Sequence, residues 1–241
     1  METVGDCFVR DRRSDRVVLV DESGREYDTH WLCTSSWKAG NFLRHTGVRR
    51  GVTVGVVGDG PLALLAFFGT ALLEGRTRFD PPMELATADD LRTLVVPADD
   101  VTRYELPPGT QRVCYGGEPP ASDVHHFDAG LWSENPSFPP LSIDPATPLL
   151  ADDEGSVGHG EAMDTARRVA DEHGIGAGTR VAVRAPLSDP RTVIAGVLAP
   201  LAVDGVIVLG EDTESASIAV GADGQTVDRT IPLDAVALNG R

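Results

Sequence analysis

Lysine is almost absent from this chain of 241 residues. Lys38 is the only one, and the remaining 20 of the 21 basic residues are arginines, against 37 Asp plus Glu and a net charge of -16. A negative charge of this size opposes the phosphates of nucleic acid, and no basic stripe in the sequence offsets it. The composition therefore argues against a nucleic-acid partner.

The excess of acidic residues has two interpretations. A surface rich in carboxylates and almost free of lysine is typical of a protein that works in molar salt, where the Debye length is about 3 Å and self-repulsion is screened. We therefore hypothesise a halophilic source. The alternative is that the acidity serves to dock a basic partner, but the acids are scattered along the sequence and form no tail.

Cysteine pairs and long apolar runs are missing as well. The three cysteines, Cys7, Cys33 and Cys114, are far apart and include no CxxC spacing, so we expect ordinary reduced thiols. No run approaches the roughly 18 apolar residues of a membrane span, and residues 1–16 are charged without an apolar signal core. We expect a cytoplasmic protein with no membrane partner.

An internal repeat is the strongest positive signal. Residues 47–56 align without gaps with residues 174–183, and the same offset of about 127 carries Gly69 onto Gly196. We predict a single domain over residues 1–241, with repeat halves at about 17–80 and 149–210. A stretch rich in Pro and Asp, residues 81–148, joins the halves.

Each half has the same predicted elements in the same order: an acidic turn, an amphipathic helix ending at a glycine cap, a strand, an apolar helix and a second strand. In the first half these are residues 21–24, 28–45, 52–57, 61–74 and 77–79. In the second half the turn, the amphipathic helix and the two strands are residues 152–155, 160–173, 180–183 and 206–209. The apolar helix between these strands is capped by Asp189 and begins at Pro190. Strand, helix, strand is a βαβ unit. The predicted class is α/β, with two related βαβ layers and mostly parallel sheets.

Three further elements are predicted outside the repeat. Residues 93–96 and 112–115 form a weak strand pair within the joining stretch, and residues 133–140 form an irregular extended loop. Residues 217–238 form a hairpin that turns at Asp223-Gly224.

Three phrases of the first half, separated by helices, resemble the opening of the acyl-adenylate-forming synthetases, the AMP-dependent acyl-CoA ligase superfamily. They are residues 17–27, 47–56 and 79–82. Asp144-Pro145-Ala146 resembles the phrase that opens the second half of that family's large N-terminal domain, and residues 196–201 resemble a later one. The resemblance covers about four-fifths of the chain, and its phrases are scaffold rather than catalytic signatures. It implies that fold, a ligase activity, and ATP, AMP or CoA as ligands.

The sequence departs from the family at the phosphate loop. Where the resemblance places a Thr-Ser-Gly-Thr-Thr-Gly-x-Pro-Lys-Gly loop, this chain has Asp152-Asp153-Glu154-Gly155 with no lysine nearby. Three consecutive carboxylates would repel a triphosphate. The family's adenine-pocket phrase, ribose-binding aspartate and lysine-bearing C-terminal domain would all follow the last residue of this sequence. We interpret Lys38 as a solvated surface lysine that does not replace the catalytic one.

Other candidate sites have a plain structural interpretation. His126 and Asp128 share a face of an extended segment, whereas His125 points the other way, so we favour a loop histidine pair over a metal site. A cradle for an anion at residues 58–61 would place Asp59 where the phosphate goes, which favours a structural turn. No nucleophile phrase surrounds the serines, and we expect His159 in a solvated glycine-flanked loop.

These patterns lead to two functional hypotheses. The first is a non-catalytic synthetase-like protein that binds a protein partner or a small ligand in the cleft between its βαβ layers, with no catalytic residue and no metal. Its predicted rim residues, at the carboxyl ends of strands, are Asp59, Asp80 and Ser188. The alternative is a residual acyl- or acetyl-CoA synthetase completed by another subunit. A gene product without a present role is a third possibility.

Overall fold

A computed structural model describes residues 1–86, 88, 90–210, 216–221, 227 and 229–238. In the first half and the joining stretch the strands are β1 (Val17–Val20), β2 (Glu26–Asp28), β3 (Thr53–Val56), β4 (Arg76–Phe79), β5 (Leu91–Pro97), β6 (Gln111–Tyr115) and β7 (Val124–His126). The second half adds β8 (Pro148–Ala151), β9 (Ser156–Gly158), β10 (Arg180–Val183), β11 (Val206–Val208), β12 (Ile218–Val220) and β13 (Arg229–Ile231). The α-helices are α1 (Thr29–His45), α2 (Pro61–Leu72), α3 (Phe127–Ser133), α4 (His159–His173), α5 (Pro190–Thr192) and α6 (Ala199–Ala202).

The strands form two sheets. Sheet A has the order β13-β12-β10-β11-β1-β2, and sheet B has the order β7-β6-β5-β3-β4-β8-β9. Neighbouring strands are parallel except in the two hairpins, β1–β2 and β8–β9. The structure confirms the predicted α/β class with mostly parallel sheets.

The two halves exchange their hairpins. β1, from the first half, pairs in parallel with β11 of the second, with Leu19 opposite Ile207. β8, from the second half, pairs in parallel with β4 of the first, with Leu150 opposite Thr77. Each sheet is therefore completed by the hairpin of the other half, and one hydrophobic core runs through both.

Helix α1 begins where the sequence predicts and buries one face. The Asp28 side chain accepts a hydrogen bond from the Trp31 N–H at 2.6 Å and so caps the first turn. Leu32, Ala39 and Leu43 are buried on its inner face. The predicted glycine caps are confirmed, since both glycines after the amphipathic helices, Gly47 (φ 83°) and Gly174 (φ 62°), are left-handed.

Helices α1 and α2 cross at a pair of glycines. A Cβ on Gly69 would lie 2.8 Å from backbone atoms of Ala39 and Gly40, and a Cβ on Gly40 would lie 2.7 Å from the Phe138 ring. Only residues without side chains allow backbones to approach this closely. In the second half Gly196 is also crowded, since its Cβ would lie 2.9 Å from Val183.

The joining stretch forms much of sheet B. β5 and β6 are the predicted strand pair, parallel and longer than expected, and β7 extends them. Residues 134–144, which include most of the predicted irregular loop, form no helix or strand. They lie over α1, where the Asn41 amide donates to the carbonyls of Asn135 and Ser137 at 3.0 and 2.9 Å.

The apolar helix of the second half, residues 190–202, is not uniform. It begins at Pro190 with the Asp189 cap that the sequence predicts, since the Asp189 carboxylate accepts from the Arg191 N–H at 2.9 Å. Its middle, Val193–Leu198, is a π-helical turn between α5 and α6. The π-helical turn ends two residues before Pro200, which has no N–H to donate to the helical hydrogen-bond pattern.

The predicted carboxyl-terminal hairpin is wrong. β12 and β13 pair in parallel, with Ile218 opposite Arg229 and Val220 opposite Ile231. β12 is buried along its whole length, which is typical of an inner strand of a parallel sheet. The Asp223-Gly224 dipeptide signals a turn but not the direction of the next strand, and both residues lie outside the described part of the chain.

In the part of the chain that the structure describes, no helix is both long enough and apolar enough to cross a bilayer.

The helix crossing gives a direct test of packing. We expect Gly69→Ala to lower the free energy of unfolding by about 1–3 kcal/mol, because the new methyl meets backbone rather than a flexible side chain. The loss should appear although alanine is the better helix former by about 1 kcal/mol. Gly176→Ala is the control, since nothing lies within 4 Å of its added Cβ. Equal urea midpoints for the two variants would contradict the crossing.

Candidate functional site

Acidic side chains collect at the carboxyl edge of sheet B. Asp59 lies in the turn between β3 and α2, and Asp80 follows β4 and accepts a hydrogen bond from the Gly58 N–H at 3.1 Å. These two predicted rim residues are therefore neighbours. Ser188, the third, is exposed in the loop between β10 and α5 of sheet A, and no hydrogen bond joins it to either aspartate.

This edge is electrostatically unfavourable for an anion. Burial raises the pKa of Asp80, and the negative charge of Asp59 raises it further. The hydrogen bond from the Gly58 N–H acts in the opposite direction. Tyr115, the last residue of β6, donates to the Val57 carbonyl at 2.6 Å. Burial and the surrounding carboxylates raise its pKa too; those carboxylates are Asp59, Asp80, Asp100 and Asp128.

The β8–β9 turn, at the place of the expected phosphate loop, is filled by its own side chain. The Asp152 carboxylate accepts hydrogen bonds from the N–H groups of Glu154 and Gly155 at 2.8 and 3.0 Å. Arg78 pairs with the next carboxylate, Asp153, at 2.5 Å. The backbone donors that a phosphate would need are therefore already bound to a carboxylate.

A cavity of about 610 Å³ lies beside this edge, between α1, the first turn of α2, α3 and the β1–β2 hairpin. Its volume falls within the range of roughly 300–1,000 Å³ that is usual for small-molecule sites. Much of its wall is apolar: Leu62 and Leu65 of α2, Leu131 and Trp132 of α3, and Trp31 of α1. We call it the α1–α3 cavity.

One face of α1 forms the floor of the α1–α3 cavity. Residues at spacing i, i+3, i+4 and i+7 share a helix face, and here they are Trp31, Thr34, Ser35 and Lys38. The sequence predicts Lys38 on the solvated surface, whereas the structure places it half-buried in the cavity wall. The predicted amphipathic pattern assigned this face to solvent, and Trp31, an aromatic residue within it, is the signal that was missed.

Helix α3 supplies the most exposed aromatic residue of the described chain. Trp132 is 86% exposed and lines the cavity together with Leu131. α3 packs closely on α1, because Gly130 lies against the Phe42 ring and leaves no room for a Cβ. Phe42 and Phe127 meet edge to face, with centroids 5.4 Å apart. The sequence pattern does not predict α3, because this helix is only seven residues long and has no counterpart in the repeat.

The exchanged β1–β2 hairpin forms the remaining wall. The Tyr27 ring lies against Trp31 with centroids 4.2 Å apart, and the Arg25 guanidinium lies 5.0 Å above the Tyr27 ring. The Tyr27 hydroxyl donates to Asp21 at 2.7 Å. Burial and this hydrogen bond raise the pKa of Tyr27 to about 12.

The acidic groups of the cavity wall are engaged, whereas its lysine is not. Asp21 accepts from the Ser23 hydroxyl, the Tyr27 hydroxyl and two backbone N–H groups. Although burial opposes the effect, these bonds lower the pKa of Asp21. Asp28 caps α1, and Asp128 accepts from the Gly116 N–H at 2.9 Å. No carboxylate of the described residues pairs with Lys38.

The histidine pair lies at the end of β7. His126 Nε2 lies 3.5 Å from Asp128 Oδ2, but Asp128 lies in α3 and not in the predicted extended segment. His125 bonds instead to Gln111 at 3.1 Å. The described residues include no group of three metal-ligating side chains.

His159 is not in a solvated loop, and that prediction is wrong. It is the first residue of α4 and is fully buried, with Nδ1 accepting from the Val4 N–H at 3.3 Å. Val4, which donates this hydrogen bond, is also fully buried. The glycines that flank His159 mark a helix start rather than a flexible segment. Burial lowers the pKa of His159 to about 4, although the Asp6 charge opposes the shift.

All three cysteines are unpaired, as predicted, and the structure buries all three. Burial raises the pKa of both Cys7 and Cys33 to about 12. Neither thiol is therefore a nucleophile at neutral pH.

Comparison with known proteins identifies the fold. No family model matches the sequence, and no curated protein matches it. The nonribosomal peptide synthetase FmoA3 matches with a TM-score of 0.74 and 18% identity over 90% of this chain and 25% of that chain. The anthranilate CoA ligase AuaEII, in complex with anthranoyl-AMP, matches with a TM-score of 0.75 and 16% identity, over 91% and 48%. Apo MatB from Rhodopseudomonas palustris matches with a TM-score of 0.72 and 10% identity, over 92% and 49%.

The fold is that of the N-terminal part of AMP-dependent synthetases, as the resemblance implied. The matching structures include a nonribosomal peptide synthetase and a CoA ligase. This chain spans between a quarter and a half of their length.

The buried histidine predicts a specific pH dependence. The folded-state pKa of about 4 lies below the usual 6.5, so the unfolded state binds a proton first as the pH falls. The contribution of neutral His159 is complete above about pH 6.5 and is lost toward pH 4. Between pH 7.5 and 5, wild type should lose about 2 kcal/mol more than His159→Gln. Urea unfolding at the two pH values measures this difference.

The carboxylates titrate alike in both proteins, so they cancel in the comparison. If both proteins lost the same free energy over this interval, His159 would not be held neutral by burial.

Proposed function

We propose that this chain is an AMP-dependent synthetase-like domain that acts by binding a small ligand or a protein partner and does not itself form an adenylate. The observation that carries the proposal is the β8–β9 turn, in which Asp152 occupies the backbone donors and two further carboxylates follow. A triphosphate at this turn would have to displace a carboxylate and then lie beside three carboxylates, one of which, Asp153, is paired with Arg78. At an effective dielectric constant of about 20, each unit charge pair at 4 Å contributes about 4 kcal/mol before screening by salt.

The carboxyl edge of sheet B supports the same proposal. The predicted rim residues Asp59 and Asp80 are both acidic, and burial together with mutual repulsion raises the pKa of Asp80. Asp59 lies at the start of α2, where the helix dipole would otherwise attract an anion. Neither position offers a cation to a phosphate, and we assign no catalytic residue.

The α1–α3 cavity supports a binding role. It combines apolar and aromatic walls with polar and charged side chains that could orient a ligand. It lies outside the carboxyl ends of parallel strands, the usual position for ligands in α/β folds. We propose this cavity, rather than a cleft formed by Asp59, Asp80 and Ser188, as the binding site.

The alternative is a residual acyl- or acetyl-CoA synthetase whose missing parts come from another subunit. It is favoured by the fact that the chain spans only a quarter to a half of the matching structures. A co-purifying subunit that brings a phosphate loop and a lysine would support this alternative.

The two functions differ in their response to nucleotide. We expect ATP–magnesium, AMP and CoA at millimolar concentrations to leave the unfolding temperature of the purified chain unchanged. A ligand at 100 times its dissociation constant would add about 2.7 kcal/mol of stability, so binding would be visible. The thermal-shift titration should be run in molar potassium chloride as well as dilute buffer, because the acidic composition predicts a salt-adapted protein.

Pyrophosphate exchange with a panel of carboxylic acids is the companion assay. No exchange and no nucleotide-induced shift are expected from the chain alone. A nucleotide-induced shift together with exchange would overturn the non-catalytic proposal. Exchange that appears only with a co-purified subunit would establish the alternative.

A further inference from the structure

We propose that the α1–α3 cavity binds a planar aromatic anion, whose charge pairs with Lys38 and whose ring lies against Trp31 and Trp132. This inference rests on the binding role proposed above and specifies its ligand. It assigns a site to three residues that none of the sequence motifs singled out as functional.

The charge of the ligand follows from the state of the ionisable groups in the wall. Asp21, Asp28 and Asp128 keep their negative charges, but each already accepts hydrogen bonds from neighbouring groups. His30 is a further ionisable residue of the wall. Arg25 lies over the Tyr27 ring at 5.0 Å. Lys38 is half-buried without a carboxylate partner in the described chain, so an anion is the ligand that would complete its interactions.

The shape of the ligand follows from the aromatic residues. Tyr27 has Trp31 on one side and Arg25 near its ring, so it serves as a support. Trp132 makes no ring contact with another described aromatic residue and is 86% exposed. An exposed tryptophan at the mouth of an apolar cavity is unfavourable in water, and a flat ring stacked on it would remove that apolar surface.

The three groups are positioned by rigid elements. Trp31 and Lys38 lie two turns apart on one face of α1, whose opposite face is in the core. Trp132 is fixed by α3, which packs on α1 through Gly130 and Phe42. The distance along α1 between positions 31 and 38 is about 10 Å at 1.5 Å per residue. This spacing suits a small ring with a charged substituent.

Tryptophan fluorescence provides the readout, because the chain has three tryptophans and two of them line the cavity. The third, Trp37, is 4% exposed and donates to the Phe8 carbonyl at 3.1 Å, so it should not respond. The probes share one ring and differ in charge: benzoate, benzenesulfonate, benzamide and benzylammonium. Quenching is measured with the full chain under conditions where it is folded.

Saturable quenching by both anions is expected, with dissociation constants within about threefold of each other, since Lys38 would recognise charge. Benzamide and benzylammonium should bind at least about tenfold more weakly. Lys38→Met should weaken both anions about tenfold and leave benzamide unchanged, because the aliphatic stem is kept. Trp132→Leu should weaken every probe.

Arg49→Met is the matched control. It removes one positive charge from the exposed turn after α1, outside the cavity, and should leave all four dissociation constants unchanged. Unfolding midpoints of the variants establish that each is folded.

Four results would each overturn the assignment. Two concern the wild type: no saturable quenching by the anions, or equal binding of benzoate and benzylammonium. The others are a loss of benzenesulfonate binding alone and wild-type affinity for the anions in Lys38→Met. The nucleotide assays are independent of these titrations. A nucleotide-induced shift together with pyrophosphate exchange would contradict the non-catalytic role without affecting the fluorescence result. Absent quenching would contradict only the ligand class and its site.

Discussion

The parallel pairing of β1 with β11 and of β8 with β4 is the constraint on which the rest of the structure depends. Each pairing joins one half of the chain to the sheet of the other half. Because of it, the two sheets share a single core rather than two separate ones. It also fixes the β1–β2 hairpin, which carries Arg25 and Tyr27, in sheet A. The α1–α3 cavity would lose one wall without this exchange.

The order of elements could be predicted from the sequence because local patterns determine it. Asp28 and Pro61 mark helix starts, Gly47 and Gly174 mark helix ends, and β-branched runs mark the central strands. The partners of the hairpins could not be predicted in this way. The local sequence around Asp21 or Asp152 is compatible with pairing to either sheet, and only the packed core selects between them. The parallel β12–β13 pair was missed for the same reason, since a turn signal does not specify strand direction.

The candidate site was less predictable than the fold. Asp59 and Asp80 were predicted as rim residues from the rule for parallel sheets, and the structure places them near each other at one sheet edge. The proposed binding site combines residues that are far apart in the sequence, since Trp31 and Trp132 are separated by 101 positions. No motif connects either of them with Lys38. His159 was predicted in a solvated loop because glycines flank it. In the structure it begins a helix and is buried. In each case tertiary contacts, rather than local sequence, decide the environment of the side chain.

The exchange of hairpins also affects how the protein can be made. β1 emerges early from the ribosome, but its parallel partner β11 is about 188 positions later, as the pairing of Leu19 with Ile207 shows. Parallel pairing over such a separation carries a large loop-closure cost and is slow. Until residue 208 has been synthesised, the apolar edge of β1 has no native neighbour. The β1–β2 hairpin therefore keeps an exposed edge while the residues between β1 and β11 are synthesised, and the acidic turn at Asp21 and the charged residues around it would discourage pairing with other chains.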